Sequence, residues 1–185
     1  PSTYAPPLPQ NYPFYILMEM LGQDAEKDQA LFEELLEKSF KNGLIADAVI
    51  ARSQQELNWL WGIRENVEFI FSVHHPVFLF DVSLAIADMN EYIEKIKAAL
   101  QKVWADVLFY AFGHMGDRNL HLYVSCGNAD INTRHHVEEI VYKPLQQIGG
   151  SITGEHGIGL EKKRWLHLSR TAEEIQLMKT LKNAL

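Results

Sequence analysis

Strand-like and helix-like stretches alternate along this 185-residue chain, an order that by itself suits a parallel sheet. Two of the strands, over 106–112 and 119–125, are separated by only six residues, whereas a parallel pair needs a crossover of a dozen or more. The helical stretches carry their apolar residues on one side. Together these observations predict an α+β fold: an antiparallel sheet, ferredoxin-like in type, with helices packed mainly on one face.

The elements follow in order. Residues 12–20 (YPFYILMEM) are aromatic and apolar over the length of a buried strand. Asp24 is placed to cap a helix over 24–40 carrying Leu31, Leu35 and Leu36, with Gly43 as its stop. Residues 44–51 (LIADAVIA) read as a second strand, and Ser53-Gln54-Gln55-Glu56 as a capping box. The helix it opens carries Leu57, Leu60, Trp61, Arg64 and Glu68. In the strand 77–84, Phe78, Phe80, Val82 and Leu84 alternate with Leu79, Asp81 and Ser83. A helix over 88–103 turns Tyr92, Ile96, Ala99 and Leu100 inward. In 119–125, Leu120, Leu122 and Val124 share one side, and Asn119, His121 and Tyr123 the other. A helix over 133–148 should kink or end at Pro144. Residues 151–154 read as a short strand, the segment from Leu160 as helical, and Thr171-Ala172-Glu173-Glu174 as a second capping box. In this arrangement the polar strand face with Asp81, Asn119, His121 and Tyr123 lies opposite the helices, free to meet a partner or substrate.

Composition narrows the function classes. A formal net charge of −7 argues against nucleic-acid binding, which needs a basic face. One cysteine, Cys126, excludes an internal disulfide framework and fits a reducing compartment. No transmembrane segment or signal peptide is visible, so a cytoplasmic location or peripheral membrane attachment is expected. The prolines at 1, 6, 7 and 9 have a linker's composition, and the last helical pattern runs to Leu185 without a stop; an excised domain is expected.

Glycine and metal-capable side chains concentrate in two stretches. The first is Phe112-Gly113-His114-Met115-Gly116-Asp117-Arg118-Asn119-Leu120-His121, and the second runs from Gly149 to Gly159 around Glu155-His156. Glycine at this density serves where a backbone turns tightly or lets a ligand approach. A hairpin could bring His114 towards His121, and two imidazoles with a carboxylate such as Glu155 form a common catalytic metal set. Equally, strand histidines serve as hydrogen-bonded structural residues. His74-His75 and His135-His136 are adjacent residues pointing in different directions, and read as surface or loop residues. Lys162-Lys163-Arg164 could meet a second domain or an acidic electron acceptor, or be a solvated helix face. Trp59, Trp61, Trp104 and Trp165 read as packing residues, and Cys126, without a basic activator, as structural.

The motifs GHMGDRNLH and GGSITGEHGIG closely resemble the C-terminal domain of the FAD-linked oxidases, the vanillyl-alcohol-oxidase-type flavoenzymes. Among these the chain is most similar to the D-2-hydroxyacid dehydrogenases, from Trp61–Arg64 to the final LMKTLKNAL. The resemblance implies that residues 1–10 are a linker from an N-terminal FAD-binding domain in cis. Residues 11–185 would then be the domain that covers the flavin and supplies the substrate site. It implies His114, His121 and Glu155 as ligands of a divalent metal, usually zinc, with His156 as the base. It implies Arg64 as the binder of substrate carboxylate, with Asn119 and Tyr123 in the substrate site. The implied activity is oxidation of a D-2-hydroxy acid to the 2-oxo acid, with hydride passing to FAD and then to an electron acceptor the sequence does not specify. The fragment alone should be inactive, and faces that would meet the flavin domain are candidates for self-association into a homo-oligomer.

The sequence also departs from that family. Leu79 stands where the hydroxyglutarate enzymes have a lysine, Glu68 where they have a threonine, and Tyr123 where they have an asparagine. The usual GDGN turn reads Gly116-Asp117-Arg118-Asn119. Loss of a cationic anchor favours a monocarboxylate or a bulkier apolar 2-hydroxy acid over 2-hydroxyglutarate. Two other readings are a zinc hydrolase, which would turn over without flavin, and a non-catalytic interaction module, which would bind no stoichiometric metal.

Overall fold

The computed structural model describes residues 5–66 and 74–185. The chain divides into two compact units, Pro1–Val67 and Glu68–Leu185.

The first unit holds α1 (Ala25–Lys41) and α2 (Gln54–Glu65). Asp24 caps α1 by accepting from the Lys27 N–H, and Gly43, at φ 67°, follows its end. Ser53 caps α2 through the Glu56 N–H. The Glu56 carboxylate reaches back one residue beyond the expected box, to the Arg52 N–H at 2.6 Å, while Arg52 pairs with Glu33 of α1 at 2.7 Å. The expected strands over 12–20 and 44–51 do not form; both segments are irregular. A strand exists only by pairing with a neighbour, and neither segment has one among the described residues. Their apolar side chains, among them Phe14, Ile16 and Leu44, are left exposed.

The second unit carries β1 (Phe78–Ser83), α3 (Ile86–Val103), β2 (Leu108–His114), β3 (Asn119–Ser125), α4 (Ile131–Gln147) and α5 (Ala172–Ala184). The sheet order is β1-β3-β2, antiparallel throughout. On the other edge of β1, Ser83 makes a single antiparallel bridge to Ser151. The order β-α-β-β-α, with that bridge where a last strand would lie, is the ferredoxin-like arrangement with its fourth strand reduced to one residue. Phe78, Phe80, Val82, Leu120, Leu122 and Val124 bury one sheet face against Tyr92, Ile96 and Leu100 of α3 and Val137, Val141 and Leu145 of α4.

Local deviations have physical causes. β2 runs on through Gly113 and His114 because Gly113 lies flat against β3: a Cβ there would stand 2.2 Å from the Asn119 carbonyl oxygen. Arg118 ends the hairpin turn at φ 58°, in the left-handed region that favours the glycine of the GDGN form. α4 continues through Pro144 to Gln147, since Val137, Val141 and Leu145, all fully buried, hold the helix on both sides of the missing donor. Residues 162–168 form a 3-10 rather than an α-helix, anchored by buried Trp165, whose Nε1–H donates to Glu138 Oε2 at 2.9 Å. The second capping box forms as expected, Thr171 and Glu174 each accepting from the other's N–H.

The buried Tyr92 hydroxyl donates to the Val141 carbonyl at 2.8 Å and ties α3 to α4. Tyr92→Phe should lower the unfolding free energy by about 1 kcal/mol, read as a shift of the urea midpoint at unchanged slope.

Candidate functional site

Cross-strand pairs on the sheet face away from α3 and α4 form three rows. Leu79, Tyr123 and Tyr110 make the first, Asp81, His121 and Phe112 the second, and Ser83, Asn119 and His114 the third. Ring centroids lie 5.6 Å apart for Tyr110 and Tyr123, 5.4 Å for Phe112 and His121, and 5.6 Å for His114 and His121. The face is not free, as the pattern suggested. Asp81 is 2% exposed and Asn119 3%, because the chain after Ser151 folds down over these two, and Tyr123 is 0% exposed.

Asp81 draws it down. Its Oδ2 accepts from the backbone N–H groups of Gly154 (3.0 Å), Glu155 (3.1 Å) and His156 (2.8 Å), with the Thr153 hydroxyl at 3.2 Å. The Lys162 ammonium stands 3.6 Å from the same oxygen and donates to the Asp81 carbonyl at 3.1 Å. These bonds also explain why 151–154 makes one bridge and no strand: donors that could enter a ladder are committed to a carboxylate. Gly154 is required at the contact, where a Cβ would stand 2.4 Å from Asn119 Oδ1 and 2.8 Å from Asp81 Oδ1.

The result is a cluster of Asp81, His121, Glu155 and His156 whose ligand atoms all lie within 4.8 Å of one another. His121 turns Nε2 to Glu155 Oε1 at 3.2 Å and Nδ1 to Asp81 Oδ1 at 3.8 Å. The His156 ring stacks on that of His121, centroids 5.3 Å apart, with Nε2 3.6 Å from Glu155 Oε1. Two imidazoles and two carboxylates are a donor set that suits a divalent ion such as zinc.

Burial pushes the Asp81 carboxyl up, but the loop N–H groups and the Lys162 ammonium outweigh it and hold the pKa below the ordinary carboxylate value. Burial also depresses His121 below its ordinary 6.5, against the pull of Asp81 and Glu155. At neutral pH the ring is therefore uncharged, the form that coordinates a metal. Both depressed groups stabilise the fold above their ordinary values and lose that contribution as pH falls through the folded ones. For Lys162, burial lowers the pKa against the opposing charge of Asp81.

The other expected site residues are placed as follows. His114 is exposed at the end of β2, its ring edge-on to His121. Asn119 is buried with both side-chain amide atoms unpaired, beneath Gly154. Tyr123 donates its hydroxyl to the His74 carbonyl at 3.3 Å. Arg64 is exposed on α2 in the first unit, ion-paired with Glu65 and 5.9 Å from the Trp61 ring centroid. Glu68 lies outside the described residues. Cys126 is buried, which pushes its thiol up to about 11 and leaves it inert. Sequence reasoning missed the parts played by Asp81 and Lys162. The available signal was an aspartate inside the strand VFLFDVSL, where this residue type is disfavoured.

Comparison with known proteins agrees with the motifs. The sequence matches the family described as FAD linked oxidases, C-terminal domain, over residues 3–185. It is 36% identical over 96% of its length to a putative mitochondrial D-lactate dehydrogenase of Schizosaccharomyces pombe, covering 35% of that protein. It is 34% identical over 97% of its length to a probable mitochondrial D-2-hydroxyglutarate dehydrogenase of Oryza sativa subsp. indica, covering 32% of it. A D-2-hydroxyglutarate dehydrogenase of Xanthomonas citri is 33% identical over 97% of this chain, which covers 39% of it. The chain thus spans about a third of the length of these relatives. It belongs to the family of the C-terminal domains of FAD linked oxidases.

Proposed function

We propose that this chain is the substrate-binding and metal-binding part of an FAD-dependent enzyme that oxidises a D-2-hydroxy acid to the 2-oxo acid. The observation that carries the reading is the convergence of Glu155 and His156 on His121, in a chain of this family. The relatives named as D-lactate and D-2-hydroxyglutarate dehydrogenases support the reaction class.

In this reading His114, His121 and Glu155 hold a divalent ion, which when bound lowers the pKa of a substrate hydroxyl and orients it. The flavin, carried by an N-terminal domain in cis, supplies the hydride acceptor. His156, the more exposed of the two stacked rings, takes the hydroxyl proton at Nε2. Arg64 binds the substrate carboxylate through its planar fork, which fixes the face offered for oxidation. Asn119 offers an unpaired amide under the loop, and Tyr123 backs the wall formed with Tyr110 and Leu79. That row carries no charge, so it suits an apolar side chain or the methyl of lactate better than a second carboxylate.

The names of the Schizosaccharomyces and rice relatives include the word mitochondrial and that of the Xanthomonas relative does not, so the names set no common compartment. Among the described residues no helix is long and apolar enough to cross a membrane.

Three experiments on the full-length protein test the reading. In a flavin-bleaching assay, D-lactate should be turned over more efficiently than D-2-hydroxyglutarate. A clear preference for hydroxyglutarate would reject the apolar wall, and turnover without flavin would reject the oxidase. Arg64→Ala should raise KM for the hydroxy acid about 10- to 100-fold, the value of a hydrogen bond to a charged group, with a smaller effect for Arg64→Lys. Metal analysis should give one divalent ion per chain and His121→Ala should lose it. Because protons compete with the ion for the His121 ring, acidification should release it, and an affinity that does not fall with pH would contradict the site.

A further inference from the structure

We infer that Asp81 is the positioning residue of this cluster, fixing the loop that presents Glu155 and His156 and orienting His121, without itself ligating the ion. The inference rests on the reading above that the cluster holds a divalent cation.

Proximity alone would make Asp81 a ligand, since its carboxylate stands within the same 4.8 Å group. Its Oδ2 is otherwise committed, and its Oδ1 is turned to the His121 ring. Oδ2 receives three backbone N–H groups at 2.8–3.1 Å, with the Thr153 hydroxyl at 3.2 Å. A carboxylate oxygen has about two lone-pair sites, so Oδ2 has none left for a cation. The Lys162 ammonium, 3.6 Å away, already balances its charge. Oδ1 accepts weakly from Glu155 N at 3.3 Å and faces His121 Nδ1 at 3.8 Å. At 3.8 Å the carboxylate makes no hydrogen bond to the ring and acts on it by charge alone, from the side on which a carboxylate orients a metal-bound histidine. Here the other nitrogen, Nε2, faces Glu155.

The hold comes from the loop. The neighbouring Asn119 side chain makes no hydrogen bond, so it does not share the load. Lys162 ties the far end of the same segment to the Asp81 carbonyl and stands 3.4 Å from the Thr153 hydroxyl. Both ends of 153–162 are thus fastened to one strand residue, and the intervening glycines at 154, 157 and 159 add no side chains of their own.

The test compares full-length wild type, Asp81→Asn and Gly154→Ala by amide hydrogen exchange and by Co2+ titration followed in the visible spectrum. Asp81→Asn should speed exchange at 154–156 at least about tenfold while amides of β3 and α4 keep their rates. Co2+ affinity should fall about 10- to 100-fold, the usual effect of losing a residue that orients a ligand. The spectrum at saturation should keep its band positions, because no ligand atom is removed. Gly154→Ala, which leaves the carboxylate intact but forces the loop off it, should reproduce these effects and carries the test if Asp81→Asn does not fold. Unchanged exchange and affinity would overturn the inference. So would protected loop amides with a shifted saturated spectrum, the signature of a lost ligand. If wild type binds no Co2+, the metal reading itself fails, and the exchange rates alone still decide whether Asp81 holds the loop.

Discussion

One buried carboxylate, that of Asp81, organises the candidate site of this chain. Asp81 sits in the first strand of the sheet with almost no solvent exposure, a costly position for a charge unless it is paired and hydrogen-bonded. Three consecutive backbone N–H groups and a lysine supply that compensation. Satisfying the charge brings Glu155 and His156 to His121, residues 34 and 35 positions apart from it in sequence. The glycines around 154 allow the approach, and the lysine follows on the same segment.

The sheet separates stability from chemistry by its two-residue period. One face, fully apolar, packs on α3 and α4 and carries the core. The other holds the polar rows, where a rigid β1-β3-β2 register sets Asp81, His121 and Phe112 side by side. A site mounted on paired strands keeps its geometry, while the loop above contributes the groups that must approach a ligand. The reduction of the fourth strand to one bridge at Ser151 belongs to the same arrangement, because the donors of a longer strand are spent on Asp81.

Legibility from sequence followed the range of the interactions. Caps at Asp24, Ser53 and Thr171 depend on bonds over three residues, and they were readable. So was the alternation in β1 and β3, and the hairpin between β2 and β3. The strands expected over 12–20 and 44–51 failed for the opposite reason: apolar runs say nothing about whether an edge is available to pair with. The helix did not end at Pro144 because burial of Val137, Val141 and Leu145 outweighed a local penalty. The part of the polar face at Asp81 and Asn119, expected to be open, was covered by a long-range contact with no local signature.

By itself the sequence determined the α+β class, the two glycine-bearing stretches, and, through their motifs, the family to which the chain belongs. These are properties of periodicity, composition and short-range spacing, which the chain carries however it folds. Only the tertiary structure decided that Asp81 holds the Glu155-His156 loop and that Lys162 balances it. Those residues are separated by more than seventy positions, and their partnership exists only where folding removes the carboxylate from water.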